Sequence, residues 1–151
     1  MKLEVLKGKE RKRFMERLSS QYGIEEIPFL LSRSGDERIR MFSGSLPAGE
    51  MERISRMGIE SMGLYLAKDQ GGVIRLSFDA PLLLRGLMTK NIVEVSARQA
   101  AEWMKGNDIV LDGPAPKGYV VVKSGNDMLG CGKSLGAVIK NYVPMERRIK
   151  E

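Results

Sequence analysis

From residue 92 to the C-terminus the chain holds one strand-like run, one capped helix and then only short apolar runs between turns. That order leaves few folds open. Ile92-Val93-Glu94-Val95 is a short strand with partial alternation. Ser96 precedes a helical stretch with Gln99 three residues on, the spacing of a capping box in which each side chain satisfies the other residue's backbone N–H. The helix is predicted to run to about Lys105 and to end at Gly106. Beyond it come Ile109–Leu111, Tyr119–Val122, Met128–Leu129 and Ala137–Ile139, separated by glycine- and proline-rich turns. One strand, one helix and several short strands predict a small barrel or sandwich carrying a single helix.

The first ninety residues follow a different pattern. Phe14, Leu18 and Tyr22 recur every four residues, which predicts a helix over roughly Lys9–Gln21, stopped by Gly23. Ile27–Leu31, the turn Ser34-Gly35-Asp36 and Arg38–Phe42 read as a hairpin. A second helix is expected over Pro47–Met57, capped by Ser45, with Met51, Ile54 and Met57 on one face. Gly63–Ala67 and Val73–Phe78 flank a Gly71-Gly72 turn, the clearest hairpin signal of this half. Pro81–Met88 is a short apolar connector with helical character. The fold class is therefore α+β, a small N-terminal α/β domain at residues 1–89 and a C-terminal barrel-like domain at 90–151.

Composition removes whole classes of chemistry. With no histidine there is no imidazole ligation of metal, no Ser-His-acid triad and no histidine acid–base catalysis. A lone cysteine, Cys131, excludes an internal disulfide framework and a cysteine-clustered zinc site. No uncharged apolar run is long enough to cross a bilayer, and the start MKLEVLKGKERKR lacks the apolar core of a signal peptide. No membrane partner is expected. The formal net charge of +6 is spread over both halves and favours approach to a polyanion, or serves solubility alone.

The stretches VEVSARQAAEWMKGNDIVLDG and PKGYVVVKSGNDMLGCGKSLGAVIKNYVPMERR carry a family pattern. The helix before Lys105-Gly106, the strand Tyr119–Val122 and the hairpin Leu129-Gly130-Cys131-Gly132 resemble the PUA domain, an RNA-binding module. The close, Ile139–Pro144 with Glu146-Arg147-Arg148, is similar to the PUA ends of archaeal Sun-family rRNA cytosine methyltransferases. The whole chain also resembles two-domain ribosome-biogenesis factors in which a small α/β domain precedes a PUA barrel. These resemblances imply RNA as partner, rRNA or a tRNA-like structured RNA. They further imply an rRNA methyltransferase or pre-ribosomal protein as a second partner, and a cytoplasmic setting. PUA domains bind RNA along their first helix, the turn after it and the closing strand. On this sequence those positions are Arg98, Lys105, Gly106, Asn107, Lys140, Asn141, Tyr142 and Arg147, to which Lys123 and Arg148 add further positive charge.

The same residues have readings of their own. Lys105, Lys117, Lys123, Lys133, Lys140, Arg147 and Arg148 fall mostly at strand ends or turns, where they either converge on one rim as a phosphate track or stay dispersed. Asn107 and Asn141 either read base edges or cap turns, and Tyr142 either stacks on a base or fills the barrel mouth. Trp103, mid-helix, docks the helix onto the barrel. Gly130 and Gly132 put two bare Cα positions on one strand face, against a neighbouring element or a ligand backbone. The N-terminal cluster Lys7, Lys9, Arg11, Lys12 and Arg13 either extends an RNA footprint or is a solvated face.

Catalytic groups are not evident by pattern. Gly132-Lys133-Ser134 ends like a phosphate loop, but the position of its first glycine holds Asp127. Cys131 has no histidine to activate it. The expectation is a non-catalytic RNA-binding protein without cofactor or metal, and not an enzyme; the alternative is an adaptor for an RNA-modifying enzyme.

Overall fold

A computed structural model describes residues 3–35, 37–42 and 63–150. The helix expected at Pro47–Met57, with its Ser45 cap, lies outside the described residues. The chain divides into two compact units, residues 1–75 and 76–151. The division between them falls after Arg75.

In the first unit, β1 (Leu3–Val5) is followed by α1 (Gly8–Tyr22), β2 (Leu30–Ser34), β3 (Arg38–Phe42), β4 (Leu64–Gln70) and β5 (Val73–Leu76). The strands form one sheet in sequence order. Helix α1 buries the predicted stripe, Phe14, Leu18 and Tyr22, completely, and Gly23 ends it in the left-handed region. Each of these side chains contributes about 1.5–3 kcal/mol by burial. Strand β2 begins three residues later than the apolar run suggests. Pro28 has no N–H for a ladder, and the carbonyls of Ile27 and Phe29 instead accept hydrogen bonds from Arg11 at 2.8 and 3.2 Å. That use also takes Arg11 out of the basic cluster at the helix start. Ile74, on the outermost strand, exchanges backbone hydrogen bonds with the side chain of Gln21, so the helix closes part of an otherwise open sheet edge. Asp69 is buried and ion-paired with Arg17, with Arg33 3.6 Å away.

The second unit runs α2 (Ala80–Leu83), β6 (Ile92–Glu94), α3 (Ala97–Met104), β7 (Ile109–Val110), β8 (Gly118–Ser124), β9 (Asp127–Ser134), β10 (Val138–Asn141) and a 3-10 turn (Met145–Arg147). Its strands form a curled, half-barrel sheet in the order β6-β8-β9-β10-β7, with β6 parallel to β8 and the other pairs antiparallel. The chain is thus a mixed α+β protein with an N-terminal α/β unit and a PUA-like C-terminal sheet around one principal helix.

Strand β9 is much longer than the Met128–Leu129 read from sequence. Val121 pairs with Cys131 and Lys123 with Met128, so Leu129 and Gly130 together oppose Val122 in a β-bulge. Gly130 adopts φ +85° there, and a Cβ on it would lie 2.6 Å from the Phe78 ring. Gly132 faces the core, where a Cβ would lie 2.5 Å from Trp103 Cη2. Side chains of the protein itself therefore fill the space at both glycines. The core they border consists of Val95, Trp103, Ile109, Val120, Val122, Ile139 and Val143.

Candidate nucleic-acid interface

Helix α3 is fixed at both ends. The capping box forms as predicted, Gln99 N–H donating to Ser96 Oγ at 3.1 Å and Ser96 N–H to Gln99 Oε1 at 2.9 Å. Trp103 is fully buried, and its Nε1–H donates to the Leu129 carbonyl at 2.7 Å, tying the helix to the bulge of β9. Near the other end, Ile149 N–H donates to the Met104 carbonyl at 2.7 Å. Asn141 completes the fastening. Its Nδ2 donates to the Trp103 carbonyl at 2.7 Å and to the Asn107 carbonyl at 2.9 Å, while its Oδ1 accepts from Val143 N–H at 2.8 Å. Both donors and the acceptor hold the turn after the helix. Of the two readings left open for Asn141, the geometry supplies the turn cap.

Three of the cations expected on the rim, Lys105, Lys140 and Arg147, have acidic partners. Lys105 lies 3.5 Å from Glu102, which also accepts from Asn107 Nδ2 at 2.7 Å. Lys140 donates to Asp108 at 2.6 Å, and Asn141 N–H donates to the other carboxylate oxygen at 2.8 Å. The Lys140 bond first, and the Asn141 bond second, hold the Asp108 carboxyl below its ordinary range. Arg147 makes two parallel bonds to Asp79, at 2.8 and 2.9 Å, and lies over the Phe78 ring at 4.7 Å. Asp79 in turn raises the already high pKa of Arg147. Arg148 lies across Gly106, whose bare Cα leaves room for the guanidinium, and donates from Nε to the Val143 carbonyl at 3.1 Å. Arg98 is exposed on α3, and Lys123 is half-buried on β8 beside Glu94 of β6 and Met128 of β9. Exposed ion pairs of this kind are worth about 0–1 kcal/mol each, so a phosphate can displace the carboxylate at little cost.

A different grouping stands on the outer face of the curled sheet. Tyr119 pairs with Lys133, and Lys133 with Lys140, so the three side chains form one cross-strand row on β8, β9 and β10. Tyr142 follows two residues after Lys140 and packs edge-on against Tyr119, with ring centroids 5.9 Å apart. Lys133 is exposed and sits 5.8 Å from the Tyr119 ring centre. Tyr142 is 37% exposed, so its ring does not fill the barrel mouth. Two tyrosines between two lysines make a surface on which bases can stack while ammonium groups meet the backbone. Sequence reasoning gave Tyr119 no binding role and named Lys133 only as one cation of the rim track. The signal was present in the alternation of β8, where Val120 and Val122 enter the core and Tyr119 must therefore point outward.

Cys131 is buried, 4% exposed, beside Gly132. Among the described residues no three His, Cys, Asp or Glu side chains are grouped to hold a metal ion.

Known proteins match the part of the chain that carries this surface. Residues 90–149 match the family described as the Methyltransferase RsmF PUA domain. Curated relatives include the "Ribosomal RNA small subunit methyltransferase F" of Vibrio cholerae serotype O1 strain M66-2, 33% identical over 98 residues, which is 65% of this chain and 20% of the relative. The protein of the same name from Shewanella oneidensis is 29% identical over 139 residues, 91% of this chain and 28% of the relative. That from Shewanella woodyi is 33% identical over 101 residues, 66% of this chain and 21% of the relative. The chain spans 20–28% of the length of these relatives.

These matches correct one expectation. The sequence reading called for a non-catalytic protein, or an adaptor beside an enzyme. The relatives are instead named as methyltransferases, and the matching domain family is named for one. The match supports RNA as the partner class. Residues 90–149 thus match the PUA domain family of the RsmF methyltransferase, and the chain is related to small-subunit rRNA methyltransferases.

Proposed function

We propose that this chain serves the methylation of ribosomal RNA, as the region of an rRNA methyltransferase that binds and orients the RNA. The observation that carries this reading is the outer row of Tyr119, Lys133 and Lys140 with Tyr142, on the domain that matches the methyltransferase PUA family. The tyrosines supply stacking surface, Lys133 meets a phosphate, and Lys140 exchanges Asp108 for a second one. Arg98 and Lys105 on the α3 side extend the footprint, and Arg147 does so by exchanging Asp79. Asn141, Trp103 and Gly106 act on RNA only by keeping this frame in place.

The test is binding of small-subunit rRNA fragments by the full chain across a salt series. Lys133→Gln with Lys140→Gln is expected to weaken binding and to reduce the log–log salt slope by roughly 1.4–1.8, the slope of two phosphate contacts. Tyr142→Ala is expected to lose about 1–3 kcal/mol without changing the slope, because a stacked base carries no counterion. Wild-type affinity and slope in both variants would remove this face from RNA recognition.

A further inference from the structure

A second cationic surface lies on the N-terminal unit, on the sheet face opposite its core. Residues alternate along β3. Ile39 and Met41 are buried at 0% and 3% exposure, so Arg38 and Arg40 stand on the other face. Their cross-strand neighbours on that face are Ser34 and Ser32 of β2, and Tyr65 of β4 lies opposite Arg40. Both guanidiniums gather over Tyr65, their central carbons 5.3 and 6.0 Å from the ring centre.

Charge balance distinguishes this site from the PUA rim. There, Lys105, Lys140 and Arg147 each have a carboxylate. Among the described residues neither Arg38 nor Arg40 has one; the nearby Glu37 is taken by Lys68 at 3.4 Å. Arg40 makes a single long bond, 3.4 Å, to the Gly63 carbonyl, and its Nε is buried with no acceptor. Ser32 Oγ, on a residue 1% exposed and directly across from Arg40, also has no partner. Two positive groups held over one ring repel each other, and a buried N–H without an acceptor carries its desolvation penalty uncompensated. An anion on the accessible edges of the two guanidiniums relieves their repulsion. Guanidinium forks suit phosphate oxygens, and a guanidinium plane on a tyrosine offers its free side to a base.

We infer that Arg38, Arg40 and Tyr65 form a second RNA contact, which takes the phosphodiester backbone of a single strand on the two guanidiniums. The inference rests on the RNA-binding reading of the chain but uses none of the PUA residues, so the two can fail separately. It also moves any N-terminal RNA contact from the basic start of α1 to the sheet.

The experiment measures anisotropy of a labelled single-stranded RNA oligonucleotide with the full chain across a salt series. Three double variants are compared: Arg38→Gln with Arg40→Gln, Arg38→Lys with Arg40→Lys, and Lys133→Gln with Tyr142→Ala. The glutamine pair is expected to lower affinity at least tenfold at low salt and to reduce the slope by about 1.4, the value for two contacts to a single strand. The lysine pair keeps the slope and loses affinity several-fold, because the charge remains while the fork is lost. Matching circular dichroism and unfolding midpoints among the variants exclude misfolding as the cause. Binding by the glutamine pair within twofold of wild type, at an unchanged slope, overturns the inference and leaves the arginines to an acidic protein partner. A loss confined to the Lys133/Tyr142 variant does the same. A loss confined to the arginine variants supports this contact while removing the PUA face.

Discussion

Gly132→Ala tests the packing that positions the PUA surface. The new methyl carbon would lie 2.5 Å from Trp103 Cη2, 2.7 Å from Ile139 Cγ2 and 2.7 Å from the Lys140 carbonyl oxygen. Trp103 and Ile139 are both fully buried, so neither side chain can swing into solvent. The carbonyl belongs to β10, paired with β9 at Gly132 and Asn141, and cannot retreat without opening that ladder. Overpacking a core costs about 1–3 kcal/mol, and a backbone atom among the three neighbours puts this site near 3 kcal/mol. For a unit of this size that is a fall in Tm of roughly 12–24 °C. Trp103 is the only tryptophan, so intrinsic fluorescence during denaturant unfolding reports the second unit alone. Gly113→Ala is the control: a Cβ there meets nothing within 4 Å and is expected to change stability by less than about 0.5 kcal/mol. Midpoints of the two variants that differ by less than about 1 kcal/mol would refute the packing argument.

Other expectations follow from the same geometry. Asn141→Ala removes the bonds to the Trp103 and Asn107 carbonyls and to Val143 N–H, and is expected to cost about 2 kcal/mol in the fluorescence-monitored transition. Trp103→Phe leaves the Leu129 carbonyl without its donor and is expected to cost about 2–3 kcal/mol, read by calorimetry because the fluorophore is gone. Asp108 has its folded pKa depressed by Lys140 and Asn141, so its contribution is present above the unfolded carboxylate pKa and is lost as pH falls through the folded value. Unfolding midpoints of wild type and Asp108→Asn should therefore differ at neutral pH and converge in strong acid; a constant offset across the series would contradict this. Asp69→Ala leaves Arg17 and Arg33 facing each other without their carboxylate and is expected to destabilise the first unit by about 2 kcal/mol. Loss of hydrogen-exchange protection in β4 and β5, with the Trp103 transition unchanged, is the measurement that checks it.

What the residues themselves settled is local. The stripe Phe14, Leu18 and Tyr22 with Gly23 behind it, the Ser96–Gln99 box and the Gly71-Gly72 turn each depend on chemistry within a few residues, and each formed where the pattern put it. Strand ends were harder to read, because a ladder is completed by its partner. Gly130-Cys131-Gly132 has no strand propensity of its own, yet β8 and β10 draw it into the longest strand of the second unit. The short β1 pairs with β2 on three residues that carry little pattern.

The surface was decided by tertiary structure almost entirely. Lys140 meets Asp108 from 32 residues away and Arg147 meets Asp79 from 68, so positions that look like free cations in sequence are paired in space. Lys133, Arg38 and Arg40, no more prominent in the sequence than those, lie where register brings a tyrosine rather than a carboxylate beside them. Residue type determines what a side chain is able to bind. Strand register determines which of those groups already have a partner and which are left to face a ligand.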